Sequence, residues 1–225
     1  SYEMRDIVKL VFDKDSFFEM TKFFGKGIIT GFARINGFPV AIFANDSNFY
    51  AGSMSAEGAQ KTSRFIRLCD TFRIPIVSLV DEPGFLIGPD AERAGTILHG
   101  TEAVLATTES KVPWTTIMIR KSFGVAAAAH YGPDGYVLAW PSAESGPLPL
   151  EGGVAVAFKK EIASAKNPEA KRKELEEKMA KNQSPFPRAE AFSVHEIIDP
   201  RETRKYIALW AERIQSQLKA SLMNR

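Results

Sequence analysis

Ile76-Val77-Ser78-Leu79-Val80-Asp81-Glu82-Pro83-Gly84 is the stretch that decides the fold. Residues 76–81 are nearly all apolar, as in a strand buried on both faces, and Pro83-Gly84 then turns the chain. Working outward, Ser55 is the N-cap candidate for a helix reaching about Arg73, with Ala59, Thr62, Phe65, Ile66, Cys69 and Phe72 at helical spacing. On the other side a helix is expected over 90–109. A second buried strand follows over 115–120. Apolar strands alternating with helices predict an α/β fold with helices covering the sheet.

Further out the signals vary in strength. Residues 4–12 predict a helix with Ile7, Leu10 and Val11 on one side. Residues 15–24 are aromatic-rich and fit no single element. Two strands, 27–35 and 38–45, flank Asn36-Gly37, a two-residue hairpin signal because both positions must take positive φ. A loop is expected over 46–53 and a short strand over 136–140. Residues 146–153 carry three glycines and two prolines and read as a loop, and 154–165 reads as a helix. The stretch 167–183 is dense in charge of both signs, with only Leu175 and Met179 as an apolar i, i+4 pair. It reads as a solvated helix with a narrow seam, or else as a partner-docking helix. Ser184-Pro185-Phe186-Pro187 breaks it, and a last helix from about 200 carries Tyr206, Leu209, Trp210, Ile214 and Leu218 as its stripe.

The chain has 225 residues, enough to bury roughly 70% of its unfolded surface. An apolar fraction of 44% and a charged fraction of 25% exclude disorder over the whole chain. Lysine and arginine number 29 against 27 acids, a net charge of +2 that gives no support to nucleic-acid binding. Cys69 is the single cysteine, so an internal disulfide is impossible, which suits a reducing compartment. No apolar run approaches the roughly 20 residues of a transmembrane helix, and the first residues do not resemble a signal peptide.

Side-chain catalysts are scarce. His99, His130 and His195 are isolated in sequence, so no metal site is expected. There is no Gly-x-Ser-x-Gly elbow and no phosphate-binding Walker loop. Cys69 falls at a core-facing helical position and reads as a packing thiol. Asp81 and Glu82 end a buried strand, where α/β proteins place function. Adjacent acids diverge from an extended backbone, so loop-fixing competes with acid–base work. His130 has a direct role or donates one satisfied hydrogen bond. What remains is backbone. Ser122-Phe123-Gly124-Val125-Ala126-Ala127-Ala128-Ala129-His130 starts a helix of tiny side chains after a buried strand. The first N–H groups of a helix lack internal partners and carry the positive end of its dipole. Either they form an oxyanion hole, or the alanines serve close helix–sheet packing.

These residues carry a resemblance. Tyr2-Glu3-Met4-Arg5, Gly31-Phe32-Ala33-Arg34, Ala51-Gly52-Ser53 and Asp70-Thr71-Phe72-Arg73-Ile74-Pro75 are part of it. So are Val80-Asp81-Glu82-Pro83-Gly84-Phe85-Leu86-Ile87-Gly88, Arg120-Lys121-Ser122-Phe123-Gly124, Ala139-Trp140-Pro141 and Ile197-Ile198-Asp199-Pro200-Arg201-Glu202-Thr203-Arg204. Nearly end to end, the chain resembles the C-terminal half of the carboxyltransferase (beta) subunit of biotin-dependent acyl-CoA carboxylases of the propionyl-CoA and methylcrotonyl-CoA type.

The resemblance implies a crotonase-like ββα spiral spanning 1–225 and an enzyme, a ligase or transferase forming a C–C bond. In that family carboxybiotin on a carrier protein and an acyl-CoA meet between two such domains, and backbone donors stabilise the oxyanions. By position, the amides of Val125 and Ala126 after Gly124 would hold the biotin oxygen. Phe123, Ala128, Pro83, Gly84 and Phe85 would line the substrate site. Many relatives read Gly-Gly-Ala where this chain has Gly124-Val125-Ala126. The position that selects substrate, often an acid, is Ala128 here, which implies a roomier pocket. The implied partners are the N-terminal carboxyltransferase half or a sister domain, a biotin carboxyl carrier protein, biotin carboxylase and further copies of the chain. The implied location is the cytoplasm, or the mitochondrial matrix in a eukaryote. A biotin-dependent decarboxylase subunit, and a non-catalytic assembly domain using Trp210 at its contacts, are the alternatives.

Overall fold

The computed structural model describes residues 2–223; Ser1 and residues 224–225 lie outside the described residues. The first helix, α1 (Met4–Val11), buries Met4, Val8 and Val11 and leaves Leu10 79% exposed. The expected stripe was therefore rotated: Met4, Val8 and Val11, at i, i+4 and i+7, face the sheet, and Leu10 does not. The aromatic-rich segment contains a short edge strand, β1 (Phe18–Met20), antiparallel to β2 (Ile28–Ile35). β2 turns through Asn36 (φ 48°) and Gly37 (φ 80°) into β3 (Phe38–Asn45), the hairpin its turn residues demand.

α2 (Ala56–Phe72) starts where Ser55 Oγ accepts the Gly58 N–H at 3.1 Å. It ends at Arg73, in left-handed conformation (φ 56°), with the Ile74 N–H bonded to the Cys69 carbonyl at 2.9 Å. Phe72, expected on its buried stripe, is exposed. All seven residues of β4 (Ile76–Glu82) are buried. The expected single helix over 90–109 is two, α3 (Pro89–Arg93) and α4 (Thr96–Thr108), because Gly95 takes φ 73° between them.

β5 (Trp114–Phe123) leads directly into α5 (Gly124–Ala128), and β6 (Tyr136–Ala139) follows. The expected loop over 146–153 is only partly a loop. β7 (Glu144–Gly146) pairs with the end of β5, and α6 (Leu150–Ala157) begins inside the stretch. The helix expected over 154–165 bends at Phe158 (φ −114°, ψ 23°) into α7 (Lys159–Ser164). The charged segment forms α8 (Pro168–Gln183), in which Leu175 is buried. α9 (Pro185–Glu190), β8 (Glu196–Ile197), α10 (Thr203–Arg213) and α11 (Gln215–Met223) complete the chain.

The sheet runs β1-β2-β3-β4-β5-β6-β8, with β7 beside β5; every pairing from β3 onward is parallel. Side chains alternate across it. Val77 and Leu79 of β4 pack with Met4, Val8, Ile207 and Trp210, so α1 and α10 cover one face. Ile76 packs with Phe65, Ile66, Cys69 and Ala103, so α2 and α4 cover the other. Each such fully buried aliphatic contributes about 1.5–3 kcal/mol. The parallel strands β4, β5 and β6 point their C-terminal ends to one edge, where open α/β sheets place ligands.

Candidate active site at the strand ends

At the end of β4 the two acids diverge. Asp81 is fully buried and accepts from Arg120 Nε (3.1 Å) and a terminal Arg120 nitrogen (2.9 Å). It also accepts from the Tyr2 hydroxyl (2.6 Å) and the Lys121 backbone N–H (3.1 Å). These bonds fasten β4 to β5 and to the N-terminal segment. Glu82 points the other way. Its Oε1 accepts from the backbone of Gly84 (3.0 Å) and Met54 (3.3 Å), and its Oε2 from Asn45 Nδ2 (3.0 Å). Burial pushes its pKa up to about 8 even against those donors. Loop-fixing, rather than paired acid–base chemistry, is what both acids do here.

Asn45 and Gly52 were not singled out by sequence reasoning. Asn45 Nδ2 also donates to the Gly52 carbonyl, and Asn45 Oδ1 accepts the Asp81 N–H at 3.0 Å. Gly52 (φ 92°) lies so near β4 that a Cβ there would meet the Asp81 carbonyl oxygen at 2.6 Å. The Pro83-Gly84 turn is thus pinned from beneath. Its half-buried residues continue into Phe85, whose ring lies on α4: a Cβ on Gly100 would sit 2.4 Å from it. Phe85 therefore anchors the loop, and its ring is directed at the helix.

At the end of β5, Gly124 takes φ 64° and starts α5. Val125 does not share the positive φ, and its side chain is 67% exposed. Ala126 and Ala129 pack beneath, and Thr107 Oγ1 donates to the Ala129 carbonyl at 2.9 Å. No hydrogen bond among the described residues engages the amides of Val125 and Ala126. Gly124 and Ala128 line an open cavity of about 320 Å³. Phe123, expected at the substrate site, is instead buried under the helix start, 1% exposed. The two segments are neighbours, since Glu82 pairs in register with Ser122.

His130 lies between them, fully buried. Its ring stacks on Phe43 with centroids 4.2 Å apart, and its Nδ1 is 2.8 Å from Ser78 Oγ. Its Nε2 has no hydrogen-bond partner and lies 3.8 Å from Glu82 Oε2. Burial lowers its pKa to about 3, so it is neutral at ordinary pH and sealed from any ligand. Cys69 is buried and its thiol pKa is pushed far up by burial, as a packing thiol requires. His195 Nδ1 accepts the Val137 N–H, and His99 sits beside Glu102. Among the described residues no cluster of three or more His, Cys, Asp or Glu could hold a metal, and no helix is long and apolar enough to cross a membrane. A cavity of about 550 Å³ opens at the starts of β5 and β6 beside Trp114 and Tyr136, away from the segments just described.

A site with two unoccupied backbone donors, a glycine at positive φ and small side chains can bind a developing oxyanion. The chain matches the family described as carboxyl transferase domain over residues 1–224. It is 38% identical to the carboxyltransferase subunit of propionyl-CoA carboxylase from Haloferax mediterranei, over 97% of this chain and 43% of that protein. It is 37% identical to the methylmalonyl-CoA decarboxylase alpha subunit of Propionigenium modestum, over 92% of this chain and 41% of that protein. The chain therefore spans under half the length of the curated relatives it matches. The crystal structure of the transcarboxylase 12S hexamer with methylmalonyl-coenzyme A and methylmalonic acid bound superposes with a TM-score of 0.90 at 36% identity, covering 96% of this chain and 42% of that one. The fold is of the expected crotonase-like α/β kind.

Proposed function

Because the chain belongs to the carboxyl transferase domain family, we propose that it is the biotin-side half of a carboxyltransferase acting on an acyl-CoA. The observation that carries this is the pair of unengaged amides, Val125 and Ala126, at a helix start preceded by Gly124 at φ 64°. Carboxybiotin on a carrier protein supplies the carboxyl group when bound. The residues of this chain hold an oxygen on which charge develops. Each well-placed donor contributes about 3 kcal/mol to such stabilisation. Gly124 aims the two N–H groups and exposed Ala128 leaves room beside them, while Pro83 and Gly84 turn the chain at the end of the neighbouring β4. Asp81, Glu82 and Asn45 fix that turn beside β5. No nucleophile or metal from this chain is required.

The remaining parts of the reading follow from the family. The partners are an N-terminal carboxyltransferase half, a biotin carboxyl carrier protein, biotin carboxylase and further copies of this chain. The cytoplasm or mitochondrial matrix is the compartment. Exposed Ile87, Ile97, Leu98 and Val125 supply apolar surface for assembly. A decarboxylase subunit is the second reading, since identity to the decarboxylase relative nearly equals that to the carboxylase relative. Trp210, invoked for a non-catalytic assembly domain, is only 7% exposed and packs inside the chain's own core, so that reading loses its contact residue. The test is to assemble the chain with an N-terminal half and follow labelled carboxyl from carboxylated carrier to propionyl-CoA, and in reverse from methylmalonyl-CoA. Transfer in either direction supports the reading; its absence with both halves assembled overturns it.

A further inference from the structure

The cavity beside Gly124 and Ala128 is lined by donors. Ser122 and Ser145 are brought level by the parallel pairing of β5 with β7. Ser122 Oγ and the Tyr131 hydroxyl are 2.7 Å apart, so one hydroxyl hydrogen of the two is spent between them and the other is free. Ser145 Oγ is buried and has no hydrogen-bond partner. Arg188, from α9, completes the lining, with Ser193 and Val194 beyond it. Among the described residues its guanidinium makes no ion pair, and no acidic residue lines the cavity. Burial pushes the Tyr131 pKa up to about 12, so its hydroxyl keeps its proton.

A buried hydroxyl without a partner costs roughly 1–3 kcal/mol unless something occupies it. A cavity offering a cation and several O–H donors, with no charged acceptor among the described residues that line it, complements an anion with planar oxygen pairs. We propose that this cavity is a carboxylate-binding subsite, with Arg188 bearing the charge and Ser145 and the Ser122–Tyr131 pair donating beside it. The volume of about 320 Å³ accommodates the carboxylate and part of the skeleton that carries it. The inference deepens the carboxyltransferase reading, on which its biological meaning rests. The carboxylate is either the group in transit or one borne at the end of the acyl chain.

The experiment uses the full chain and malonate as probe, followed by NMR at Ser145, Tyr131 and the Arg188 side chain. Malonate is expected to shift these signals, neutral dimethyl malonate is not, and Arg188→Met should weaken malonate binding at least tenfold while Arg188→Lys restores part of it. Arg188 makes no ion pair among the described residues, so thermal melting should confirm that both variants stay folded. Ser145→Ala gives a second, independent loss. Equal shifts with the diester, or unchanged malonate binding in Arg188→Met, overturn the proposal. Butyryl-CoA and succinyl-CoA separate the sources. An Arg188-dependent preference for succinyl-CoA places the carboxylate on the acyl chain; no preference, with malonate binding still dependent on Arg188, places it on the group in transit. Biocytin shifts at Val125 and Ala126 report the carboxyltransferase reading separately, so malonate failing where biocytin succeeds removes this inference alone.

Discussion

Replacing Val125 with proline removes one N–H and little else. Val125 is in the first turn of α5, so its amide has no intrahelical acceptor to lose. Its side chain is 67% exposed, which leaves space for the ring. The preceding residue, restricted before proline, is Gly124 at φ 64°, a conformation that glycine holds without penalty. Stability should therefore change by less than about 1 kcal/mol, within the range of benign proline substitutions. Losing one oxyanion donor costs about 2.7–4 kcal/mol of transition-state stabilisation, a fall in kcat of about 100- to 1000-fold. The assay is carboxyl transfer by the enzyme assembled with its N-terminal half, beside a melting curve of the variant. Unimpaired turnover in a folded Val125→Pro enzyme would refute the assignment of this amide.

Other expectations follow from the same geometry. Gly132→Ala would place a Cβ 2.1 Å from the buried Trp114 ring and should cost about 1–3 kcal/mol, a fall in Tm of about 2–12 °C. Asp81→Asn discharges a buried carboxylate that holds Arg120. Since Arg120 is partly solvated, at 38% side-chain exposure, the loss should be about 2 kcal/mol, between exposed and buried pairs. Slower carboxyl transfer should accompany it, because Asp81 fastens β4 to β5. For pH, Glu82 has a folded pKa raised to about 8, so its contribution is fully present below its unfolded value and is lost as pH rises through 8. The folded pKa of His130 is depressed to about 3, so its contribution is present above about 6.5 and is lost as pH falls towards 3. Between about pH 6.5 and 8 only the Glu82 effect remains. Melting curves should show the wild-type chain losing stability over that window relative to Glu82→Gln; parallel curves would contradict the burial argument.

The parts of the fold legible in the sequence were those with one dominant physical cause. β4 is mostly apolar until its last two residues because helices cover both its faces, and Asn36-Gly37 admits the turn that few other pairs do. Ser55 announces α2 because its side chain replaces a missing acceptor. What escaped reading depended on tertiary context. Gly95 splits α3 from α4 by taking φ 73°, which local sequence leaves open. Leu10 and Phe72 had the right spacing, but the neighbours that would cover them are not there in the chain. The run of alanines after a strand marked the start of α5 as a place where backbone can be approached, and the resemblance narrowed that expectation to the amides of Val125 and Ala126. Phe123 and Phe85 were placed near the site by the resemblance; one is buried under the helix start and the other lies on Gly100. Asn45 and Arg188 gave no local signal, since parallel pairing and a long crossover bring them to the strand ends.

The central claim is that the first-turn amides of α5 receive the biotin oxygen. Titrating the chain with biocytin and following backbone amides by NMR tests it directly. The account predicts shifts concentrated at Val125, Ala126 and the Pro83-Gly84 loop, with the Val125 and Ala126 amides moving downfield as they gain an acceptor. Saturable biocytin binding that leaves Val125 and Ala126 unmoved, with its shifts elsewhere on the chain, would contradict it.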